Sequence, residues 1–521
     1  MRNVCGMRRG TLAGRYGRGV VTVAAVVLAA MAAPVLCAEA QDPAAAWPVS
    51  GQNIHNTRNA PDERQVGPSD VSRLTPRWVL TTDGNVTTTP AVVDGIVYVP
   101  DYGGSLWAVE AATGKVVWKH KINQYSGIPG DVSRTTPAYW EGQLITGQGV
   151  QTAHNRTGAF MLSIDAHTGV LRWRTQVEKD PEAIITASPV VDDGVVYLGT
   201  ASRDEAYQVP LTFRGSVVAL DAKTGKLLWK TYMVTQGYPG GAIWGSTPVV
   251  DRDTGLLYVT TGNNYTVPAG VCTVPMRRDC TPVPRNDRIN SIVALNLETG
   301  KIVWSTRTMV GDVSTNFNHN EGPDWDFGQG PMLFKTTLDG KPVTLLGAGQ
   351  KSGIYWALDP KTGKVVWKTK VGPGSRKGGM MWGSATDGQR IYVSIGNGNH
   401  VSVTLTSASG QTSTTTGGLW AAIDAASGKI LWQTADPQQA IDTSTMSVAN
   451  GVVYAGSIAG SGDNMYALDA ATGAIKWRFA SGGAVVDGTV YWGSGYYTKM
   501  AMGLPFVGKN NKLYAFSVPA K

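Results

Sequence analysis

The chain has 521 residues, enough for a large core, yet only 16% of them are charged, while 64 are Gly and 17 are Trp. That balance suits many short strands joined by tight turns. The net charge of +8 leans on an N-terminal cluster of arginines, and no basic run or aromatic-basic platform follows it, which excludes a nucleic-acid partner.

Arg2, Arg8, Arg9, Arg15 and Arg18 precede the apolar run "GVVTVAAVVLAAMAAPVLC", and "AEA" (Ala38–Ala40) is an A-x-A cleavage signal. Residues 1–40 therefore read as a secretory signal peptide and residues 41–521 as the mature domain. The small-residue exit argues against an uncleaved anchor. Leu36 before Cys37 departs from a lipobox, which wants a small residue there. Arg8-Arg9 is a poor twin-arginine signal. Losing five Arg and one Glu lowers the net charge from +8 to +4. No later segment is long and apolar enough to span a bilayer, so the expected location is periplasmic or secreted.

From residue 106 onward a phrase recurs. "LWAVEAATGKVVW" ends at Trp118, and related copies end at Trp173, Trp229, Trp304, Trp367, Trp432 and Trp477. Each reads strand, polar turn, Gly, strand. Upstream of most copies lies a second hairpin with a D-G or N-G turn, as in "TPAVVDGIVYV". Each unit thus supplies about four strands, and the tryptophans are 45 to 75 residues apart. This periodicity predicts an all-β, eight-bladed β-propeller. Seven blades carry the full phrase. The eighth is split: "GGAVVDGTVYWGSGYYTK" and "NKLYAFSV" supply inner strands and "LTPRWVL" the outer one, so N- and C-terminal strands pair and close the ring. The repeated Trp is expected to pack between blades.

Long loops begin at Thr200, Thr260, Asn316 and Ile395, where binding tends to reside on a rigid scaffold. The last is rich in Ser and Thr and reads as mobile surface. Cys272 and Cys280 lie eight residues apart in "GVCTVPMRRDC"; in an exported chain such a pair most simply forms a disulfide, and no nearby His supports a zinc site.

The "ALDAxTGKxxW" phrase resembles the pyrroloquinoline quinone (PQQ) repeat, and the split closing blade resembles that of eight-bladed quinoprotein alcohol dehydrogenases. The resemblance covers roughly residues 45–520. Seven single-copy segments carry it in the family's order. "DVSRTTPAYW" implies Arg134 as the partner of PQQ. "IITASPVV" and "TASRDEA" imply Thr186 and Ser202 as its hydrogen-bond partners, and the latter also makes Glu205 a calcium carboxylate. "GGAIWGSTPVVD" places Trp244 under the quinone. "TTGNNYTVP" gives Asn263 as the calcium amide. "GPDWDFGQG" makes Asp326 the catalytic acid–base and a third metal ligand, with Asp324 the alternative base. "GAGQKSGIYWALD" sets Lys351, the second catalytic residue, beside the quinone oxygens. The chemistry agrees: a flat tricarboxylate needs a planar cation and an aromatic floor, and Ca²⁺ takes oxygen ligands.

The resemblance implies oxidation of an alcohol, with Asp326 accepting the hydroxyl proton, Ca²⁺ polarising the quinone and Lys351 stabilising charge on its oxygens. Trp325 would shape the substrate mouth. Two departures stand out. No adjacent cysteines occur in "YSGIPGDVSR", so the family's vicinal disulfide is absent. Gly328 stands where lanthanide-using relatives carry Asp, which favours calcium. "GNNYTVP", the cysteine pair and "GPDWDFG" resemble the polyvinyl alcohol dehydrogenase branch. With no C-x-x-C-H for haem, electrons are expected to pass to a separate acceptor such as a cytochrome c. The competing expectation is a non-catalytic scaffold propeller, which would bind neither PQQ nor calcium. A sugar-binding or adhesive propeller has no dedicated motif here.

Overall fold

The structure is a computed structural model. It describes residues 46–149, 157–204, 209–274, 279–315, 322–376, 378–459, 462–479, 484–486, 488–493 and 511–519. The signal-peptide expectation and Glu205 lie outside these residues. Strands dominate; helix among the described residues amounts to the turns Val71–Arg73 and Ile122–Ser126.

Eight blade sheets follow one another along the chain, each with four antiparallel strands; one joins strands from both ends of the described chain, and the sheet of Ser447–Phe479 gains the short Asn59–Ala60 as a fifth, parallel strand. We number them as blades one to eight, starting with the sheet that runs from Ala91–Val93 to Val116–Lys121. The eighth joins Ala484–Val486, Thr489–Gly493 and Lys512–Ser517 to the early strand Thr75–Thr81. The register runs from Thr75 opposite Ser517 to Thr81 opposite Lys512. The predicted closure is thus the one observed. The D-G and N-G turns have both residues in the left-handed region, as at Asp94-Gly95 and Asn450-Gly451, the type I′ geometry that matches strand twist.

The repeated Trp hooks most blades to the next; at Trp367 the ring packs against Gly428 but its buried Nε1 finds no hydrogen-bond partner among the described residues. Trp118 Nε1 donates to the Ala166 carbonyl at 2.9 Å, Trp173 to Ala222 at 2.9 Å and Trp229 to Leu297 at 3.0 Å. Trp477 reaches Leu74 in blade eight, and Trp78 reaches Ala111 in blade one, so the hooks run through the closure. The recurring Gly follows from the same contact. Gly225 has φ +71°, and a Cβ there would lie 2.6 Å from the Trp173 ring. The Gly therefore satisfies both a left-handed backbone and a flat seat for the neighbouring indole.

Residues 47–60 thread the hub. Their carbonyls accept hydrogen bonds from the innermost strands of six blades: Trp47 from Val92, Pro48 from Tyr139, Ile54 from Val250, His55 from Leu333, Thr57 from Thr386 and Arg58 from Val448, at 2.8–3.0 Å. Asn59–Ala60 then run parallel to Val448–Ala449. Cys272 and Cys280 are disulfide-bonded. The Ser/Thr-rich insertion departs from expectation. It is a hairpin of Val403–Thr406 and Thr412–Thr415, pinned because Leu405 is buried in the core of its blade.

Candidate active site

The site residues sit on two kinds of connection: those entering an inner strand (Arg134, Thr186, Trp244, Asp326) and those leaving the second strand of a blade (Ser202, Asn263, Lys351). Propeller geometry brings both kinds to one face, so residues from four successive blades converge although they are far apart in sequence.

Asp326 is fully buried. Its Oδ2 accepts the Trp244 indole N–H at 2.7 Å. Its Oδ1 faces Lys351 Nζ at 2.7 Å in an ion pair yet receives no well-directed hydrogen bond. Lys351 also donates to Asp324 Oδ1 at 2.9 Å and lies 4.9 Å over the Trp244 ring. One ammonium is thus shared by two carboxylates. The Lys351 backbone N–H donates to the Asp326 carbonyl at 3.1 Å, so the two segments are also tied through the main chain.

The segment "GPDWDFGQG" is held from below by Asp312, which the sequence reading missed. Asp312 accepts the backbone N–H groups of Asp324 (3.0 Å) and Trp325 (2.9 Å) and the amide of Asn290 (2.7 Å). Burial raises its pKa, and the nearby Asp326 adds to the rise. Asp324 itself has φ +56°, a conformation Asp tolerates better than most residues.

Asn263 donates to the carbonyls of Asn264 and Ser314, both at 2.8 Å, which fixes the side chain. Its buried Oδ1 finds no hydrogen-bond partner among the described residues. A fixed, desolvated amide oxygen suits a hard cation. Gly262, its neighbour, approaches the Asp326 carboxylate: a Cβ there would lie 3.2 Å from Oδ2. No cluster of three or more His, Cys, Asp or Glu able to hold a metal occurs among the described residues.

The other predicted residues are spread around this centre. Thr186 Oγ1 donates to the Trp244 carbonyl at 2.7 Å and so braces the indole. Ser202 Oγ donates to the Tyr265 hydroxyl at 3.2 Å, beside the Asn263 loop. Arg134 lies with its guanidinium 5.2 Å from the Trp382 ring, and Trp382 meets Trp244 edge-on, ring centres 5.3 Å apart. Trp382 was also missed, although "GGMMWGS" around it repeats the "GGAIWGS" around Trp244. Its carbonyl accepts from Arg58 of the hub segment at 3.4 Å. Arg58 is buried, which pushes its pKa down to about 10. Gly328 has a packing reason: a Cβ would meet Trp244 Cη2 at 2.9 Å and Met381 Cγ at 3.0 Å.

Comparison with known proteins gives these findings. The family described as glucose/ethanol/alcohol dehydrogenase, beta-propeller domain, matches residues 47–386. That of outer membrane protein assembly factor BamB matches residues 351–489. A polyvinylalcohol dehydrogenase of Sphingopyxis sp. is 30% identical, over 87% of this chain and 73% of its own length. One from Pseudomonas sp is 30% identical over 67% of this chain, which spans 55% of that relative. Among solved structures, a quinohemoprotein alcohol dehydrogenase of Pseudomonas putida superposes with a TM-score of 0.69 at 20% identity, covering 92% of this chain and 81% of that one.

Proposed function

The chain belongs to the PQQ-dependent alcohol dehydrogenase family of β-propellers, and on that premise we propose that it oxidises an alcohol, using PQQ and Ca²⁺, outside the cytoplasm. The observation that carries the proposal is Asp326: a fully buried carboxylate bonded to the indole of Trp244 and paired with Lys351.

Asp326 would accept the substrate's hydroxyl proton at Oδ1, the oxygen without a directed hydrogen bond. The Trp244 N–H fixes the other oxygen and so aims the first. Lys351 carries a positive charge beside the reacting face, where it would stabilise negative charge as it develops. Trp244 offers an aromatic floor, and Gly328 keeps its ring edge clear. Arg134 would meet a carboxylate of the cofactor, with Thr186 and Ser202 near its rim. Asn263, Asp326 and Glu205 would hold the cation. When bound, PQQ would supply hydride-accepting quinone chemistry and Ca²⁺ would supply Lewis acidity beside it.

A secondary or polymeric alcohol is the substrate class we favour, because two relatives bear the name polyvinylalcohol dehydrogenase. The electrons would then pass to a separate acceptor such as a periplasmic cytochrome c. No helix among the described residues is long and apolar enough to cross a membrane. The test is reconstitution of the purified mature protein with PQQ and Ca²⁺, followed by dye reduction with primary, secondary and polymeric alcohols. Calorimetry that finds no PQQ binding at saturating Ca²⁺ overturns the proposal and leaves a scaffold propeller.

A further inference from the structure

Arg376 has no part in the sequence reading, yet its side chain meets four groups around the reactive segment. Its Nη1 donates to Ser314 Oγ and to the Thr315 carbonyl, the latter at 3.1 Å. Its Nη2 donates to the Gly322 carbonyl at 3.1 Å. The same Nη1 lies 3.9 Å from Asp324 Oδ2, on the opposite side of that carboxylate from Lys351. The arginine's own loop is fastened to the site as well, since the Ser375 N–H donates to the Lys351 carbonyl at 3.2 Å.

These contacts form a chain of alternating charge: Arg376, Asp324, Lys351, Asp326. Asp324 and Asp326 both attract the one ammonium of Lys351, at 2.9 and 2.7 Å. What keeps Lys351 between them is the position of Asp324. A planar guanidinium that grips the flanking carbonyls can fix that position, whereas a lysine offers a single flexible point charge. The Ser314 carbonyl is in turn the acceptor of Asn263, so the same grip reaches the amide proposed for the cation.

We propose that Arg376 is a positioning residue that acts through Asp324 to hold Lys351 against Asp326. The inference rests on the dehydrogenase reading for its kinetic consequence but not for its structural one. Arg376→Met keeps the stem and removes the grip. In the PQQ- and Ca²⁺-loaded enzyme it should lower kcat by roughly 10- to 100-fold, the scale of an ångström-sized misplacement. KM for the alcohol should change by less than about threefold, because Arg376 is not required for uniform substrate binding. Arg376→Lys should recover part of the loss. In an Asp324→Asn background Arg376→Met should cost little more, since the two residues act in series.

A second measurement needs no turnover. In the cofactor-free protein Lys351 is nearly buried between carboxylates and should react slowly with acetic anhydride, read by peptide mass spectrometry. Arg376→Met should raise that rate several-fold while the melting temperature of the whole protein stays within a few degrees. Unchanged acylation of Lys351, or kinetic effects of Arg376→Met and Asp324→Asn that simply multiply, would overturn the proposal. Failure of the wild-type protein to oxidise any alcohol would instead count against the dehydrogenase reading, and the acylation result would still decide the role of Arg376.

Discussion

Replacing Lys351 by Met tests the charge arrangement of the site without any enzymatic assay. The side-chain length is kept and one positive charge is lost. Lys351, Asp324 and Asp326 expose only 7%, 12% and 1% of their side chains. Without the ammonium, Asp324 keeps the distant Arg376, and among the described residues Asp326 keeps the N–H of Trp244 as its side-chain hydrogen bond. Removing one partner of a buried ion pair typically costs ~3–5 kcal/mol. Against a total stability of roughly 5–15 kcal/mol, that is a large fraction. The denaturant midpoint of the cofactor-free variant in chelator should therefore fall clearly below that of the wild type. Calcium should restore part of the loss, because in the proposed site a divalent cation held by Asn263 and Asp326 would replace the missing charge. A ligand at 100 times its Kd adds about 2.7 kcal/mol. Equal midpoints in chelator would refute the idea that Lys351 compensates the two acids. A loss that calcium leaves untouched would refute the location given to the cation.

Asp326→Asn should retain PQQ and lose a factor on the order of 10²–10⁴ in kcat, whereas Asp324→Asn should cost much less; kcat and PQQ occupancy for both variants separate base from anchor, and a dead Asp324→Asn beside an active Asp326→Asn would reverse the assignment. Gly225→Ala should destabilise by ~1–3 kcal/mol, because its methyl would overlap the Trp173 ring, while Gly95→Ala, with φ +73° but open space around it, should cost only the left-handed backbone, about 1 kcal/mol; thermal melts of the pair compare them. Burial pushes the Asp131 carboxyl up to about 6. A carboxyl whose folded pKa is raised contributes stability that is complete below its ordinary value near 3.8 and is lost as pH rises through about 6. Asp131→Asn should therefore flatten the fall of melting temperature between these pH values, and an unchanged slope would show that Asp131 is not the group responsible. Gly328→Asp, which on the sequence alone only adds a carboxylate, should also weaken PQQ binding, since its Cβ runs into Trp244.

What was legible in the sequence was whatever repeats or occurs once in a recognisable phrase. The tryptophans repeat because their rings pack from one blade onto the turn glycine of the next, and periodicity exposed the blade count and the split closure. Trp244, Asn263, Asp326 and Lys351 stand in distinctive segments, and the fold brings them together. Asp312 was not legible, because one acid in "VGDVST" carries no sign that it caps two backbone amides twelve and thirteen residues on. Arg376 was hidden for the same reason: its four partners lie 52 to 62 residues away, and two of them are main-chain carbonyls, which leave no trace in residue type. Trp382 could have been found from its shared phrase with Trp244. The Ser/Thr-rich insertion misled through composition, since a single leucine, Leu405, decides whether it is anchored.

The hub segment sets an order of assembly. Arg58 waits for Val448, Leu74 for Trp477 across 403 residues and Thr82 for Asn511 across 429. The earliest described residues thus find partners more than 380 residues further along the chain. Loops of that length must close before any of these contacts forms, which slows folding. A chain still missing its last two blades would have an open hub and an unpaired outer strand at Thr75–Thr81. Closure of the ring, through pairing of Thr75–Thr81 with Lys512–Ser517, is the event that locks these contacts. A truncation near the C-terminus should therefore loosen residues 47–60, far away in sequence, as surely as it removes the blade it deletes.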